Sequence, residues 1–397
     1  MRILHTSDWH IGRTFHGHST LDALRGVLAE LTAQVRENAV DVVIVAGDVF
    51  DSSAPAADSY VLLTETLRGL ADAGARVIVT SGNHDSAARL GFQAGLLREE
   101  ISVITDPASI GTPITIPDAH GPVHFYGIPY LEPALLRHVW PGVRTQEGAL
   151  SHAMGLVRAD AAARRQADGA ARTVAIAHCF AAGVAPTPQL ERDIQQGGLD
   201  VVPLSVFEGM DYAALGHIHG RQRLTERVRY AGAPLHYSFG EGDKPRGSWL
   251  IDLGANDAGA DDADAGSHLD VRWLPLSVPR RVVTLTASLE ELLSDERFDV
   301  DRDAWVCAEY TDDLPQRDPL RRLQERFPHC AKVVHRPARV AAADGATYAQ
   351  RVRAARSDRE LVEAFLVHVR EGVGASEAEQ ELIDDVLAAR VRVEAAA

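Results

Sequence analysis

Five short apolar runs organise the chain: residues 3–6, 42–46, 77–80, 173–177 and 212–215, each ending abruptly at a small or polar residue. Runs this short, rich in Val and Ile and without polar alternation, predict strands buried on both faces. Between the first three lie stretches with helical spacing. Leu21, Leu24, Leu28, Leu31 and Val35 form one apolar stripe behind Ser19 or Thr20 as cap; Leu63, Leu67 and Leu70 form another, which Gly74 can end. Strand, helix, strand, helix, strand predicts a parallel sheet with right-handed crossovers.

The pattern continues less regularly. Ser86 is expected to cap a helix through Leu90 and Leu96, residues 123–127 to form a strand, 129–133 an irregular bend, and 150–166 an exposed helix. A loop containing Gly and Pro should follow His178 as far as Gly198, and strands at 229–232, 248–253 and 271–274 should close a second sheet. The character changes near 275–281. Strands at 282–286, 305–310 and 332–335, with helices at 289–293 and 320–327, predict a small α/β domain, the second helix announced by Asp318 and Pro319. After residues 341–345 the pattern is helical, at 359–369 and again at 376–393 behind a Ser376 cap. This divides the chain into 1–276, 277–342 and 343–397.

Composition changes this picture little. A chain of 397 residues that is 46% hydrophobic and 24% charged suits a soluble protein of two or three domains. No signal-peptide pattern and no apolar run near the ~20 residues of a membrane span occur, so a cytoplasmic protein without a membrane partner is expected. Cys179, Cys307 and Cys330 lack the spacing of a metal knuckle or a disulfide framework and read as reduced, buried thiols. A net charge of −16 argues against a polyanionic partner. Its distribution weakens that argument: six aspartates crowd residues 252–270, expected to be a solvated loop, while Arg13, Arg89, Arg221 and Arg223 follow candidate metal ligands.

The chemistry lies at the strand ends. Asp8, His10, Asp48, Asn83, His178, His217 and His219 all fall there, and the carboxyl ends of parallel strands are where α/β sheets place ligands. Seven donors exceed the needs of one cation. Imidazoles mixed with carboxylates suit Mn, Fe or Zn better than Mg. Asp48 can bridge two such ions, which in two-metal sites lie roughly 3.5–4 Å apart and drive in-line displacement at phosphorus. Asp8-x-His10 or Gly47-Asp48 alone is common by chance. Gly82-Asn83-His84-Asp85 and Gly216-His217-Ile218-His219 are stronger, and the ordered combination is the signal. His84 follows a ligand rather than acting as one; it is assigned to stabilise or protonate a leaving oxygen, with Asp85 close enough to orient its ring. His5, His124 and His236 read as structural or exposed, His16 and His18 as exposed substrate-loop residues, and Trp9 as packing.

These motifs resemble those of the calcineurin-like metallophosphoesterases. The runs Ser7-Asp8-Trp9-His10-Ile11-Gly12-Arg13, Ala46-Gly47-Asp48-Val49-Phe50-Asp51, Asn83-His84-Asp85-Ser86, Leu215-Gly216-His217-Ile218-His219 and Tyr230-Ala231-Gly232-Ala233-Pro234 are similar, more narrowly, to those of bacterial nuclease subunits that work with an SbcC-type ABC ATPase. The resemblance implies an α/β fold: a two-sheet β sandwich flanked by helices, a small α/β capping domain and a C-terminal helical segment that docks the ATPase. It also implies two manganese ions, one on Asp8, His10, Asp48 and His219, the other on Asp48, Asn83, His178 and His217. The implied activity is ATP-dependent cleavage of double-stranded DNA ends and hairpins, with single-strand endonuclease action, in repair, replication and recombination. The implied assembly is a homodimer within a heterotetramer. Where archaeal relatives carry a histidine shortly after the bridging aspartate, this chain has Asp51 or Ser52. Two other readings are a small-substrate phosphoesterase, such as a cyclic-nucleotide phosphodiesterase or phosphoprotein phosphatase, and a non-catalytic scaffold.

Overall fold

Strand Val42–Ala46 is buried at every position, and its two faces meet different neighbours. Val43 and Val45 pack outward with Leu24, Leu28, Leu31, Leu63, Leu67 and Leu70 of two helices, whereas Val42, Ile44 and Ala46 pack inward with Phe125, Val174, Ile176 and Tyr212 of another sheet. The period of two along the strand thus serves two cores at once.

The computed structural model describes residues 1–181, 201–256, 267–337, 348–370 and 373–394. They divide into two units, Met1–Val283 with Asp303–Trp305, and Thr284–Arg302 with Val306–Ala397. Among the described residues the first unit holds two six-stranded sheets. One runs in the order Ser267–Pro275, Gly247–Asn256, Arg2–Thr6, Val42–Ala46, Arg76–Thr80, Ile101–Ile104, the last four strands parallel. The other runs Gln222–Arg223, Val228–Tyr230, Tyr212–Gly216, Arg172–His178, Gly121–Gly127, Ile114–Asp118, its middle four parallel. Helices Leu21–Glu37 and Ala57–Asp72 cover the first sheet's outer face, and Gln146–Ala167 covers the second's. The result is the α/β sandwich expected.

Several local expectations fail for physical reasons. Strands Gly247–Asn256 and Ser267–Pro275 join the first sheet, antiparallel beside Arg2–Thr6, so only Val228–Tyr230 of the three belongs to the second. The helix begun by Ser86 ends at Leu90; a turn through Gly91 and left-handed Gln93 (φ 63°) leads into a short 3-10 segment, Ala94–Leu96. Helix Gln146–Ala167 is not merely exposed, because Ala149, Leu150, Ala153, Met154, Val157 and Ala161 bury a full stripe. Asp252 and Asp270 are cross-strand partners rather than loop residues, and Arg2 pairs with Asp252 at 2.9 Å. The remainder of that acidic stretch and most of the loop before Gly198 lie outside the described residues. Thr20 occupies the helix N-cap, yet its hydroxyl donates to the Arg13 carbonyl at 2.7 Å.

The second unit contains strand Cys330–His335 and all but the first residue of strand Trp305–Tyr310, the two paired in parallel. Helix Leu289–Ser294 opens on a capping box between Ser288 and Glu291, and Pro319–Gln324 starts on its proline, with Asp318 left-handed (φ 46°) and making no cap bond. Helices Tyr348–Ala354, Asp358–Val369 and Glu377–Glu394 complete it. Ser376 and Glu379 cap the last reciprocally.

Candidate metal centre

All five strand ends converge at one edge of the sandwich. Asp8, His10, Asp48, Asn83 and His84 come from the first sheet, and His178, His217 and His219 from the second. The approach is close enough to require glycine. A Cβ on Gly47 (φ 79°) would strike the His178 ring, and one on Gly82 would strike the carboxylate of Asp48. Four of the candidate ligands themselves sit at positive φ: Asp8 (53°), His10 (45°), Asp48 (48°) and His217 (106°). Backbone strain of this kind costs about 1–3 kcal/mol per residue and concentrates at functional sites.

Asp48 is the hub. Its Oδ2 lies 3.5 Å from Nε2 of His10 and 3.3 Å from Nε2 of His178, while Oδ1 accepts the His84 amide at 2.9 Å. On one side of it, Nε2 of His10 and Nε2 of His219 face each other at 3.0 Å, with Asp8 beside them. On the other, Oδ1 of Asn83 lies 2.9 Å from Nε2 of His178 and 3.1 Å from Nδ1 of His217. Asp8, His10, Asp48, His178 and His219 are buried and Asn83 is exposed, so the pocket opens on the amide side.

Of the remaining ring nitrogens one is hydrogen-bonded and two face carboxylates at ion-pair distance. Nδ1 of His178 donates to the Ala46 carbonyl at 3.0 Å; Nδ1 of His10 lies 3.2 Å from the Asp51 carboxylate and Nδ1 of His219 lies 3.5 Å from that of Glu241. Such outer partners orient imidazoles and raise their basicity as ligands. Together with the convergent carboxylates, this donor set fits a pair of divalent cations. His84 is half-buried, its Nδ1 donating to the Asp51 carbonyl at 2.9 Å and its ring 4.8 Å from that of His10.

Electrostatics favour ligand use at His10, His217 and Asp48, whereas His178 has to release its Nε2 proton before it can bind a cation. Desolvation keeps His10 and His217 neutral, the latter with a pKa near 3 to which His178's charge also contributes. Burial opposes charge on His178 too, but Asp48 and then Asp8 more than offset it and raise its pKa to about 9. Burial alone would raise Asp48; His178, His10 and His84 hold it well below the usual carboxylate range.

The expected link between Asp85 and His84 is absent. The Asp85 carboxylate accepts the backbone amides of Gly82 (2.8 Å), Phe50 (2.8 Å) and Val49 (3.1 Å), and the carbonyl of Asp51 orients His84 instead. Desolvation and the charge of Asp48 raise the Asp85 pKa to about 6. Asp85 therefore fastens the Asp48 turn to the Asn83–His84 turn. Trp9 is fully buried, Cys179 is a buried thiol pushed up to about 12, and His5 bonds Tyr212 across the sandwich, all as packing residues. The sequence does not mark Asp51, Glu241 or the Ala46 carbonyl as partners of these rings. Asp51 lies only three residues from Asp48, whereas nothing local marks Glu241.

The model for calcineurin-like phosphoesterases matches residues 1–221, more than half of the chain, and the chain belongs to that family. Residues 278–370 match a second model, the SbcD-type C-terminal domain described as the type 5 capsule protein repressor C-terminal domain. The two matches together are consistent with an SbcD-type protein. Among solved structures, the chain is similar to TT1561 of Thermus thermophilus, with 14% identity over 68% of this chain and 98% of that one and a TM-score of 0.36. It is also similar to a dimetal phosphatase from Danio rerio, LOC 393393, with 13% identity over 58% and 86% and a TM-score of 0.35. Likeness at that level adds nothing to the family assignment.

Proposed function

We propose that the chain is the nuclease subunit of an ATPase-coupled complex, hydrolysing phosphodiester bonds at double-stranded DNA ends and hairpins and within single strands. The observation that carries the chemistry is the position of Asp48 Oδ2 between His10 and His178, each ring heading its own group of donors. Asp8, His10, Asp48 and His219 would hold one cation and Asp48, Asn83, His178 and His217 the other, with manganese the proposed metal. Bound there, the cations supply Lewis-acid activation of water and neutralise charge at phosphorus.

The protein's own groups do the rest. Asp48, Asp8 and the buried rings fix donor positions before substrate arrives, which limits reorganisation. His84, whose Nδ1 proton is committed to Asp51, presents Nε2 toward the pocket; in its imidazolium form it can donate a proton to the departing oxygen. The protein is thereby a hydrolase of phosphoesters by family and a DNA nuclease by proposal.

DNA and an SbcC-type ABC ATPase as partners are supported by the match over residues 278–370. Support also comes from exposed Phe365 and Val369 on helix Asp358–Val369, and Leu382 and Val386 on Glu377–Glu394. Among the described residues no helix is long and apolar enough to cross a membrane. A homodimer within a heterotetramer, acting in the cytoplasm, belongs to the same proposal.

The test incubates the purified chain, with and without its ATPase partner and ATP, with end-labelled duplex, hairpin and single-stranded DNA and with bis-p-nitrophenyl phosphate in Mn²⁺. Partner- and ATP-dependent cleavage of duplex ends, lost in Asp48→Ala, supports the reading. Hydrolysis of the small ester alone, indifferent to partner and ATP, would replace it with a small-substrate phosphoesterase.

A further inference from the structure

Glu241 and Arg246 lie between the two matched segments, which end at 221 and resume at 278, and both side chains are almost wholly buried. They form an ion pair inside the protein. Such a pair adds little net stability, because desolvating both charges consumes most of their attraction. Its geometry suggests another use.

Both members face one residue. Oε1 of Glu241 stands 3.5 Å from Nδ1 of His219, and a guanidinium nitrogen of Arg246 donates to the His219 carbonyl and, at 3.4 Å, to that of Ala233. The carboxylate is itself anchored by the Tyr237 amide at 3.2 Å and the Ser238 hydroxyl at 3.1 Å. Behind them Gly232 (φ 81°) approaches so closely that a Cβ would strike the His219 carbonyl. The His219 backbone is therefore held by hydrogen bonds, its buried Nδ1 has the Glu241 carboxylate as its facing charge, and its Nε2 is aimed at the point shared with His10 Nε2, 3.0 Å away.

We propose that Glu241, held by Arg246, is a positioning residue for His219. It keeps the proton on Nδ1, so that Nε2 offers its lone pair as a ligand, and it sets the cation affinity of the Asp8–His10–His219 side of the pocket without acting on the Asn83–His178–His217 side. The inference rests on the two-cation reading above.

Manganese binding to the full-length chain, followed by electron paramagnetic resonance, tests it without reference to turnover. Wild type should bind two ions and His219→Ala one. Glu241→Gln should still bind two, the weaker with a dissociation constant raised roughly 10–100-fold, the range for loss of an outer partner. Histidine ¹⁵N shifts of the same variant should show His219 losing its Nδ1–H preference, which a purely structural role would not change. Should Glu241→Gln fail to fold, the double variant Glu241→Met, Arg246→Met fills the same space without charge and should show the same selective weakening. Wild-type affinity at both sites in a folded variant, or equal weakening of both, would overturn the proposal. Failure of wild type to bind any Mn²⁺ would overturn the metal reading itself.

Discussion

Asp51 serves two histidines at once: its backbone carbonyl accepts from Nδ1 of His84 at 2.9 Å, and its carboxylate stands 3.2 Å from Nδ1 of His10. One ring belongs to the proposed leaving-group chemistry and the other to the proposed metal ligands. Arg13, 2.9 Å from the same carboxylate, steadies it.

The two roles separate by mutation. His84→Gln should keep both Mn²⁺ ions, measured by paramagnetic resonance, while bis-p-nitrophenyl phosphate turnover falls about 10²–10⁴-fold, the usual contribution of a positioned acid. Loss of a bound ion in this variant would instead make His84 a ligand, as its proximity to His10 and Asp48 allows.

Asp85 is expected to act through the fold. Asp85→Ala leaves the amides of Val49, Phe50 and Gly82 without their acceptor, and each buried unsatisfied donor costs about 1–3 kcal/mol. A drop on the order of 3 kcal/mol in urea-unfolding stability should accompany weakened Mn²⁺ binding, because the Asp48 and Asn83 turns are no longer joined. Unchanged stability would disprove the fastening role.

Gly82→Ala places a methyl group where the Asp48 carboxylate now sits. Far-ultraviolet circular dichroism should stay near wild type while Mn²⁺ stoichiometry and hydrolysis both collapse; a fully loaded, active variant would contradict this packing.

His5 sets an acid limit on stability. Its ring is buried between Tyr212 Oη at 2.9 Å and the Leu215 carbonyl at 3.1 Å, and desolvation lowers its pKa from 6.5 to about 3. The unfolded chain binds this proton below pH 6.5 and the folded chain only near pH 3. The contribution is therefore full above 6.5 and shrinks as pH falls toward 3, by on the order of 5 kcal/mol in all. In His5→Gln, stability measured by urea should fall less steeply across that window; an identical slope would rule His5 out.

Phe365→Glu on the exposed face of helix Asp358–Val369 should abolish association with the ATPase partner in sedimentation, and with it ATP-dependent DNA cleavage, while hydrolysis of the small ester stays at the wild-type rate. Retained association would move the docking surface elsewhere.

What could be read in advance followed from local pattern. Apolar runs closed by a small or polar residue marked the strands behind Asp8, Asp48, Asn83, His178 and His217, because a strand buried on both faces has no polar alternation to confuse it. Pairing between distant strands has no such mark: Trp249 and Ile251 read equally well in either sheet until Arg2–Thr6 is seen to pair with them. Adjacency misleads at Asp85, because its carboxylate is taken up by the amides of Val49, Phe50 and Gly82 while His84 bonds the Asp51 carbonyl. The partners of His10 and His219 arrive from Asp51 and Glu241, and for the second of these only the folded chain brings the groups together.

The pocket draws its proposed ligands from both layers of the sandwich, four from one and three from the other. Cations seated there would work as rivets through the seam between the two halves. Stripping them with a chelator should then loosen the whole first unit rather than silence a surface patch, and an isolated half of that unit could offer no more than a partial claw.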